Sequence, residues 1–212
     1  MTSTIPVIVT SAILALNTLL PYTPQTLSSH EMNLAERAPG GGFMSEAMAD
    51  NILLNLAYLN HDPIDPKNID WDKVRANRTI SFKLDPGQTF AFQEDVLPEY
   101  NGKVAITTNG HFSSDQGFKY DGYLIGDGVC HLASLMNWVA KEASLNVNAP
   151  TNHDFMPIPG IDKQYGTAIF YQPDSKDSNA KQNLYITNSL NHQVEFDFTV
   201  SGKNLEAKVV KL

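Results

Sequence analysis

Apolar residues recur at helical spacing in two long segments of the chain. The first covers residues 45–59, and its apolar positions are Met48, Ile52, Leu53, Leu56 and Leu59. The second runs from Cys130 to about residue 144, and its apolar positions are Leu132, Leu135, Met136, Val139 and Ala143. A stripe with this period buries one face of an α-helix. The pattern predicts two amphipathic helices, with a further helical turn at residues 70–74.

Other segments alternate between apolar and polar residues, which is typical of half-buried strands. Residues 79–84 and 89–92 flank the turn Asp85-Pro86-Gly87 and predict a hairpin-like pair. Further strands are predicted at residues 103–107, 120–125, 167–171, 184–187, 194–200 and 205–210. We therefore expect an α+β fold, in which an antiparallel sheet packs on a central helix that starts at Cys130.

The amino-terminal residues differ in character from the rest of the chain. Residues 5–20 form a predominantly apolar run of signal-peptide length, a little short for a membrane span. No Lys or Arg precedes this run, and a buried core helix is the alternative interpretation. Proline, serine and glycine in the stretch that follows predict a linker. The expected organisation is a signal peptide or membrane-anchor-like segment at 1–20, a linker at 21–43 and a folded domain at 44–212.

Charge and cysteine content limit the classes of partner. The chain has 212 residues, with 15 Lys and Arg against 23 Asp and Glu, and a formal net charge of −8. Binding to a phosphate backbone needs a basic surface, so nucleic acid is not an expected partner. The single cysteine excludes an intramolecular disulfide, and a chain of this length can bury a core without one.

Cys130 follows the sequence GDGV at residues 126–129, which brings a thiol to the start of a helix. A helix N-terminus lowers the pKa of a thiol, and its unpaired N–H groups can hold an oxyanion. In thiol enzymes a His takes the thiol proton and a carboxylate orients the imidazole. This chemistry predicts Cys130 as nucleophile, His153 as base and Asp162 as orienter, with the N–H groups of residues 130 and 131 as the oxyanion site. The order suits a loosely papain- or transglutaminase-like arrangement.

A structural interpretation of the same cysteine stays open. Free cysteine is among the most often buried residue types and then acts as a small hydrophobic side chain. Under that interpretation Cys130 and Gly128 serve tight packing between the helix and the sheet. A metal site would have to use His111, Cys130, His131 and His153, but no close pair has the spacing of a zinc motif. No metal and no other cofactor is expected.

The sequence around Cys130 resembles the signature of the VanW-like family, bacterial proteins named from vancomycin-resistance gene clusters. The resemblance rests on GDGVCHLASLMN at 126–137, DNILL at 50–54, LDPGQTFAF at 84–92, NHD at 152–154 and GID at 160–162. Several motifs in one order are more specific than a single motif. The family pattern has Gln in place of His131 and Ser in place of Asp154. The resemblance covers residues 44–212.

The resemblance implies an envelope-associated bacterial protein that acts on or binds peptidoglycan-related peptide or glycan, without an established reaction. It adds the candidate binding residues Asp127, Gly128, His131 and Asn152. Two functions stay open: acyl transfer or hydrolysis centred on Cys130, and a non-catalytic binding or scaffold module in which Cys130 is structural. The expected partners are a cell-wall peptide or glycan, and a membrane if residues 5–20 act as an anchor. The expected location is exported, in the cell envelope or outside the cell.

Aromatic residues flank the polar loop at 109–117. They are Tyr100, Phe112, Phe118 and Tyr120. Such side chains line grooves that bind glycans or peptides, but they also occupy the alternating hydrophobic positions of ordinary strands, which is the more frequent case. A ligand groove and ordinary strand packing both stay open for these residues.

Overall fold

Two sheets and four α-helices make up the residues described by a computed structural model, 23–39 and 41–212. The helices are α1 (Gly42–Leu59), α2 (Trp71–Val74), α3 (Val129–Glu142) and α4 (Lys176–Lys181). The strands are β1 (Gln25–Asn33), β2 (Arg78–Leu84), β3 (Thr89–Ala91), β4 (Val104–Thr107), β5 (Asn146–Asn148), β6 (Tyr185–Thr187), β7 (Val194–Ser201) and β8 (Asn204–Lys211). The predicted combination of helices with antiparallel-rich sheets is confirmed.

The first sheet has the strand order β1-β8-β7-β2, and every neighbouring pair is antiparallel. On β2 the side chains of Ile80, Phe82 and Leu84 are buried and the residues between them are exposed, as the alternation predicts. The ring of Phe82 stacks on that of Phe196 of β7, with centroids 4.9 Å apart. The inner face of this sheet is therefore an aromatic and aliphatic layer of the core.

The second sheet has the order β4-β3-β6-β5, with β3 parallel to β4 and antiparallel to β6. The predicted hairpin between residues 79–84 and 89–92 is wrong, because β2 and β3 belong to different sheets. All of β3 is buried, so it packs on both faces, unlike a hairpin strand with one solvated face. The intervening turn is held by a hydrogen bond from the Gly87 N–H to the Asn188 carbonyl, just beyond β6.

The predicted linker at residues 21–43 is corrected by β1, which occupies Gln25–Asn33. This strand pairs with β8, from Gln25 opposite Lys211 to Asn33 opposite Asn204. Of its residues only Ser28 and Met32 are buried. An edge strand with so few buried side chains shows little apolar alternation, because backbone hydrogen bonds on one side hold it in place.

The predicted signal peptide or membrane anchor at residues 1–20 lies outside the described residues. Among residues 23–39 and 41–212, no helix combines the length and the apolar character that crossing a membrane requires.

Two of the predicted strands do not form as strands. Residues 120–125 make a loop with one isolated bridge, between Tyr120 and Ile125. Residues 167–171 join neither of the two sheets. The second sheet instead contains β5, which was not predicted. A strand of only three residues is too short to show an alternating pattern.

Side chains of α3 replace a neighbouring strand for the segment that was predicted at 167–171. Ser134 Oγ accepts a hydrogen bond from the Thr167 N–H at 2.9 Å. Asn137 Nδ2 donates to the Tyr165 carbonyl at 3.0 Å. A buried backbone must find hydrogen-bond partners, and here the helix supplies those on one side, while the N–H groups of Ala168 and Phe170 donate to the carbonyls of Thr151 and Gln182. The segment is extended and partly buried, which explains its strand-like sequence.

α3 packs against β1 and β8 of the first sheet, against β5 and against α1. Its predicted apolar stripe is buried in the core, at Leu132, Leu135, Met136 and Val139. The start of α3 meets α1 at Gly128, whose φ is 102°. A Cβ added there would lie 2.4 Å from the carbonyl oxygen of Met48. Both the backbone conformation and the close approach require glycine.

We expect Gly128→Ala to destabilise the fold by about 3 kcal/mol, because it adds a clash with α1 to the strain of a positive φ. Gly122 provides a matched control: its φ is 115°, and nothing lies within 4 Å of its added Cβ. Gly122→Ala should therefore cost only about 1 kcal/mol. Urea unfolding of both variants measures the difference. Equal losses of stability would contradict the packing role of Gly128.

Candidate functional site

A groove of about 660 Å³ opens beside the loop at residues 120–127 and the first turn of α3. Its walls are formed by residues 111–116, 123–127 and 169–171. Cys130 belongs to its lining. The volume lies in the range of ordinary ligand sites. The loop that was predicted as a strand is therefore one side of this groove.

A second cavity of about 210 Å³ lies against the same loop. Residues common to the linings of the groove and of this cavity are Tyr123, Leu124, Asp127 and Cys130. The smaller cavity also takes in Arg37, Asp121, Gly128, His131 and His153. It therefore gathers more of the predicted site residues than the groove does.

The thiol of Cys130 is bound to the backbone of a single residue. Its Sγ accepts a hydrogen bond from the Ile169 N–H and donates one to the Ile169 carbonyl, both at 3.3 Å. Burial raises the pKa of the Cys130 thiol to about 12, although the bond from the Ile169 N–H opposes the shift. A thiol with so high a pKa is almost fully protonated at neutral pH and is a poor nucleophile. The lowered pKa expected from the helix N-terminus is not found.

The predicted oxyanion site at residues 130 and 131 is only partly available. The N–H of His131 donates to the Gly128 carbonyl at 2.9 Å. This bond belongs to the tight first turn of α3 and leaves the N–H turned toward the chain itself. A pair of convergent free donors, which an oxyanion site needs, is not formed.

The predicted Cys-His-Asp hydrogen bonds are also not formed. His153 Nδ1 lies 3.0 Å from the Met156 carbonyl and must donate to it, so a carbonyl rather than a carboxylate orients this ring. Asp162 Oδ1 accepts from the Gln164 N–H at 3.0 Å and caps a short 3₁₀ helix. His153 and Asp162 share only a cavity of about 160 Å³ that does not include Cys130.

The other predicted binding residues do not all lie at one site. Asp127 and His131 line the smaller cavity, and Gly128 lies beside them at the contact with α1. Asn152 is exposed and lines none of the three cavities described above. Asp154 forms a surface ion pair with Lys163 at 3.2 Å. The motif at 152–154 thus contributes to these cavities mainly through His153.

Asp121 is a site residue that was not predicted from the sequence. It is 2% exposed, and its Oδ1 accepts hydrogen bonds from the N–H groups of Tyr123 and Leu124, at 2.8 and 3.1 Å. Burial, together with the charge of Asp121 and a hydrogen bond to it, raises the pKa of Asp127 to about 6. The negative charge of one carboxyl group disfavours ionisation of the other, so the pair keeps a proton to a higher pH than an isolated carboxyl group. The available sequence signal was the loop DGYLIGD at 121–127, which has an Asp at each end.

The aromatic residues divide between core and groove. Phe112 and Phe118 are buried and meet edge to face, with centroids 5.7 Å apart, although Phe112 also reaches the groove lining. Tyr100 stacks on Tyr185 at 4.1 Å. Tyr120 alone of the predicted set is exposed beside the groove, at 55%.

Exposed groove-lining residues that the sequence did not single out are Tyr123, Leu124, Ile125 and Phe170. Opposite the loop, Tyr171 stacks on His111 with centroids 4.3 Å apart. These side chains give the groove an apolar rim, and the hydroxyl groups of the tyrosines and the imidazole of His111 add polar groups to it. Across residues 23–39 and 41–212, no group of three or more His, Cys, Asp or Glu side chains is placed to hold a metal ion.

We expect the Cys130 thiol to resist alkylation in the folded protein. Its pKa of about 12, against an ordinary 9.0, lowers the thiolate fraction about a thousandfold near neutral pH. Iodoacetamide at pH 7.5 should modify the native chain at least about a hundredfold more slowly than the chain unfolded in guanidinium chloride. Mass spectrometry of timed samples measures both rates. Similar rates in the two states would restore the case for a reactive thiol.

Stability should depend on pH through Asp127. Because its pKa is raised from 3.8 to about 6, the folded state holds a proton that the unfolded state has lost, and stability falls as pH rises from about 4 to 6. Asp127→Asn keeps a donor for Asp121 at all pH values. The variant should match the wild type near pH 4 and exceed it by about 1 kcal/mol at pH 7.5, after allowance for solvent screening.

Urea unfolding at the two pH values measures this difference. Asp115→Asn is the control, because it removes an exposed carboxylate from the groove wall without touching the Asp121–Asp127 pair. An advantage of Asp127→Asn that does not grow with pH would contradict the shared proton.

Comparison with known proteins assigns no relative to this chain. No protein-family model matches the sequence. Searches of curated proteins and of solved structures likewise give no significant match. The VanW-like resemblance is therefore a proposal, and the geometry of the site is the basis for a proposed function.

Proposed function

We propose that this chain is a VanW-like cell-envelope protein that binds peptidoglycan-related glycan or peptide in the 660 Å³ groove, with Cys130 in a structural role. The observation that carries the proposal is the state of the thiol, which is bonded on both sides to the backbone of Ile169 and has a raised pKa. Of the two functions open from the sequence, this observation favours the binding module.

The thiol occupies a position where it organises a wall of the groove. Ile169 is followed by Phe170 and Tyr171, which line the groove. The hydrogen bonds of Cys130 therefore fix the start of that wall. To act as a nucleophile, the half-buried sulfur would have to give up its bond to the Ile169 carbonyl and lose a proton that burial holds in place, which is costly.

The shape and lining of the groove favour an extended ligand with apolar faces. Tyr120, Tyr123 and Phe170 are 55%, 72% and 44% exposed along its edges. Aromatic rings with one face free are suited to pack against the faces of sugar rings or the side chains of a peptide. The polar side chains of residues 113–116 supply hydrogen-bonding groups on the opposite wall.

The location and family parts of the proposal rest on the sequence. An apolar run at residues 5–20 favours export, and the ordered motifs at 50–54, 84–92, 126–137, 152–154 and 160–162 favour the VanW-like family. Within this proposal, the loosely papain- or transglutaminase-like placement of α3 against antiparallel strands concerns architecture alone. It implies no triad.

We expect Tyr123→Ala and Phe170→Ala each to weaken the binding of soluble muropeptides by about tenfold, since each removes an exposed ring from the groove. Calorimetric titration of purified muropeptides measures the effect. Phe43→Ala is the matched control, because Phe43 is 68% exposed on α1 and does not line the groove. A loss of affinity in Phe43→Ala equal to that in the groove variants would contradict groove binding.

Cys130→Ser should keep muropeptide affinity while lowering the free energy of unfolding by about 1 kcal/mol, as is usual for a modest core change. The measurements are the same titration and a urea unfolding curve. Turnover of the muropeptide that disappears in Cys130→Ser would instead establish the cysteine enzyme. Absence of any muropeptide binding by the wild type would refute the proposed ligand class.

A further inference from the structure

The smaller cavity of about 210 Å³ has charged groups of opposite sign in its lining, and they do not pair with each other. Arg37 is one of them, and the carboxyl groups of Asp121 and Asp127 are the others. Among the described residues, none of these three takes part in an ion pair within 4.0 Å. Buried charges without partners cost stability unless something else compensates them.

Arg37 is a buried cation whose bonds are all to neutral groups. It is 3% exposed. Its Nε donates to the Asn33 carbonyl at 2.7 Å, and its Nη2 donates to the Pro159 carbonyl at 3.2 Å. The third contact is a weak one, 3.6 Å long, to the sulfur of Met32. A guanidinium has five N–H donors, so it retains donors for a further acceptor, and a carboxylate is its preferred partner.

His131 gives this end of the cavity a second unsatisfied group. The residue is 4% exposed, and its Nδ1 is buried without a hydrogen-bond partner in the part of the chain that the structure describes. Burial and the nearby charge of Arg37 lower the pKa of His131 to about 3, so the ring is neutral. A neutral imidazole carries one N–H donor and can direct it at an acceptor. A polar side chain this deeply buried usually has a partner.

The acidic end of the cavity is formed by Asp121 and Asp127. Asp121 Oδ1 is already engaged by two backbone N–H groups, while its remaining lone pairs and those of Asp127 have no cationic partner. His153 also lines the cavity, but its Nδ1 is bonded to the Met156 carbonyl. The acidic pair would repel a simple anion and attract an ammonium group.

We propose that the smaller cavity binds a small zwitterion, an amino acid or a dipeptide with free ends, whose carboxylate meets Arg37 and His131 and whose ammonium group meets Asp121 and Asp127. The volume of about 210 Å³ lies below the range of about 300–1,000 Å³ that drug-sized ligands occupy, which suits a small ligand and excludes a long peptide. The cavity shares Tyr123, Leu124, Asp127 and Cys130 with the groove, but the proposal does not depend on muropeptide binding there.

The test is calorimetric titration of the full chain with alanine, with N-acetylalanine and with alaninamide, each up to about 10 mM. N-acetylalanine lacks the ammonium group and alaninamide lacks the carboxylate. We expect alanine to saturate the protein and each analogue to bind about tenfold more weakly or worse. Glycylglycine and β-alanine carry the same two charged groups at larger separations, so their relative affinities report the distance between the two charged ends of the cavity. No saturation by any zwitterion, or equal affinity for alanine and both analogues, would overturn the proposal.

Variants test which residues bind each end of the ligand. Each variant is compared across several ligands, so a general loss of folding is distinguished from the loss of one contact. Asp127→Asn should weaken alanine about tenfold while leaving N-acetylalanine unchanged, because only the ammonium contact is lost. His131→Gln should weaken alanine and N-acetylalanine but not alaninamide. Asp115→Asn, outside this cavity, is the control. If Asp127→Asn lowered the affinity for every ligand equally, the assignment of Asp127 to the ammonium group would be refuted. Muropeptide binding in the groove is read in a separate titration, so failure of one proposal is distinguishable from failure of the other.

Discussion

The polar face of α3 holds an extended segment of chain that has no strand beside it, and the geometry of the site depends on this contact. Cys130, Ser134 and Asn137 supply the hydrogen bonds that a neighbouring strand would give on one side, and the carbonyls of Thr151 and Gln182 accept from the segment as well. The segment continues directly into one wall of the groove. In this setting the thiol is a short side chain that both accepts and donates a hydrogen bond, and its nucleophilicity is suppressed by the burial that makes the contact useful.

A buried carboxylate in the core has cationic partners, whereas the charged residues that line the smaller cavity have none. Asp50 on α1 is buried and is bonded by both Arg75 and Lys119. Arg37, Asp121 and Asp127 have no such partners within the described residues, and the buried Nδ1 of His131 has none either. Uncompensated polar groups of this kind lower stability, and proteins concentrate them where a ligand completes the network. Unsatisfied buried atoms also occur at Asn55, Arg78, Gln93, Asn137 and His192, but only the group around residues 121–131 combines them with unpaired charges that line a cavity, which is why the ligand is proposed there.

Periodic elements were predictable from the sequence, and the geometry of the site was only partly so. β7 and β8 have apolar residues at alternate positions, because each buries one face. α1 and α3 were placed correctly by their apolar spacing, but the structure buries their central turns on nearly all sides, at residues 50–57 and 131–137, rather than along one amphipathic face. β1 escaped prediction because an edge strand held by backbone bonds needs few apolar side chains, and the segment at 167–171 was misassigned because helix side chains can satisfy an extended backbone. Cys130 was located correctly at a helix start, but the sequence does not show that Ile169 lies beside it. Asp121 was missed because its significance depends on a loop that brings it to Asp127.

The pairing of β1 with β8 has a consequence for how the chain reaches its native state. Gln25 is opposite Lys211, and Ile80 on β2 is opposite Phe198 on β7, so every pair in the first sheet except β7–β8 joins distant parts of the sequence. Such non-local pairing makes folding slow. During synthesis the first sheet cannot close until β8 has left the ribosome, whereas all four strands of the second sheet precede it.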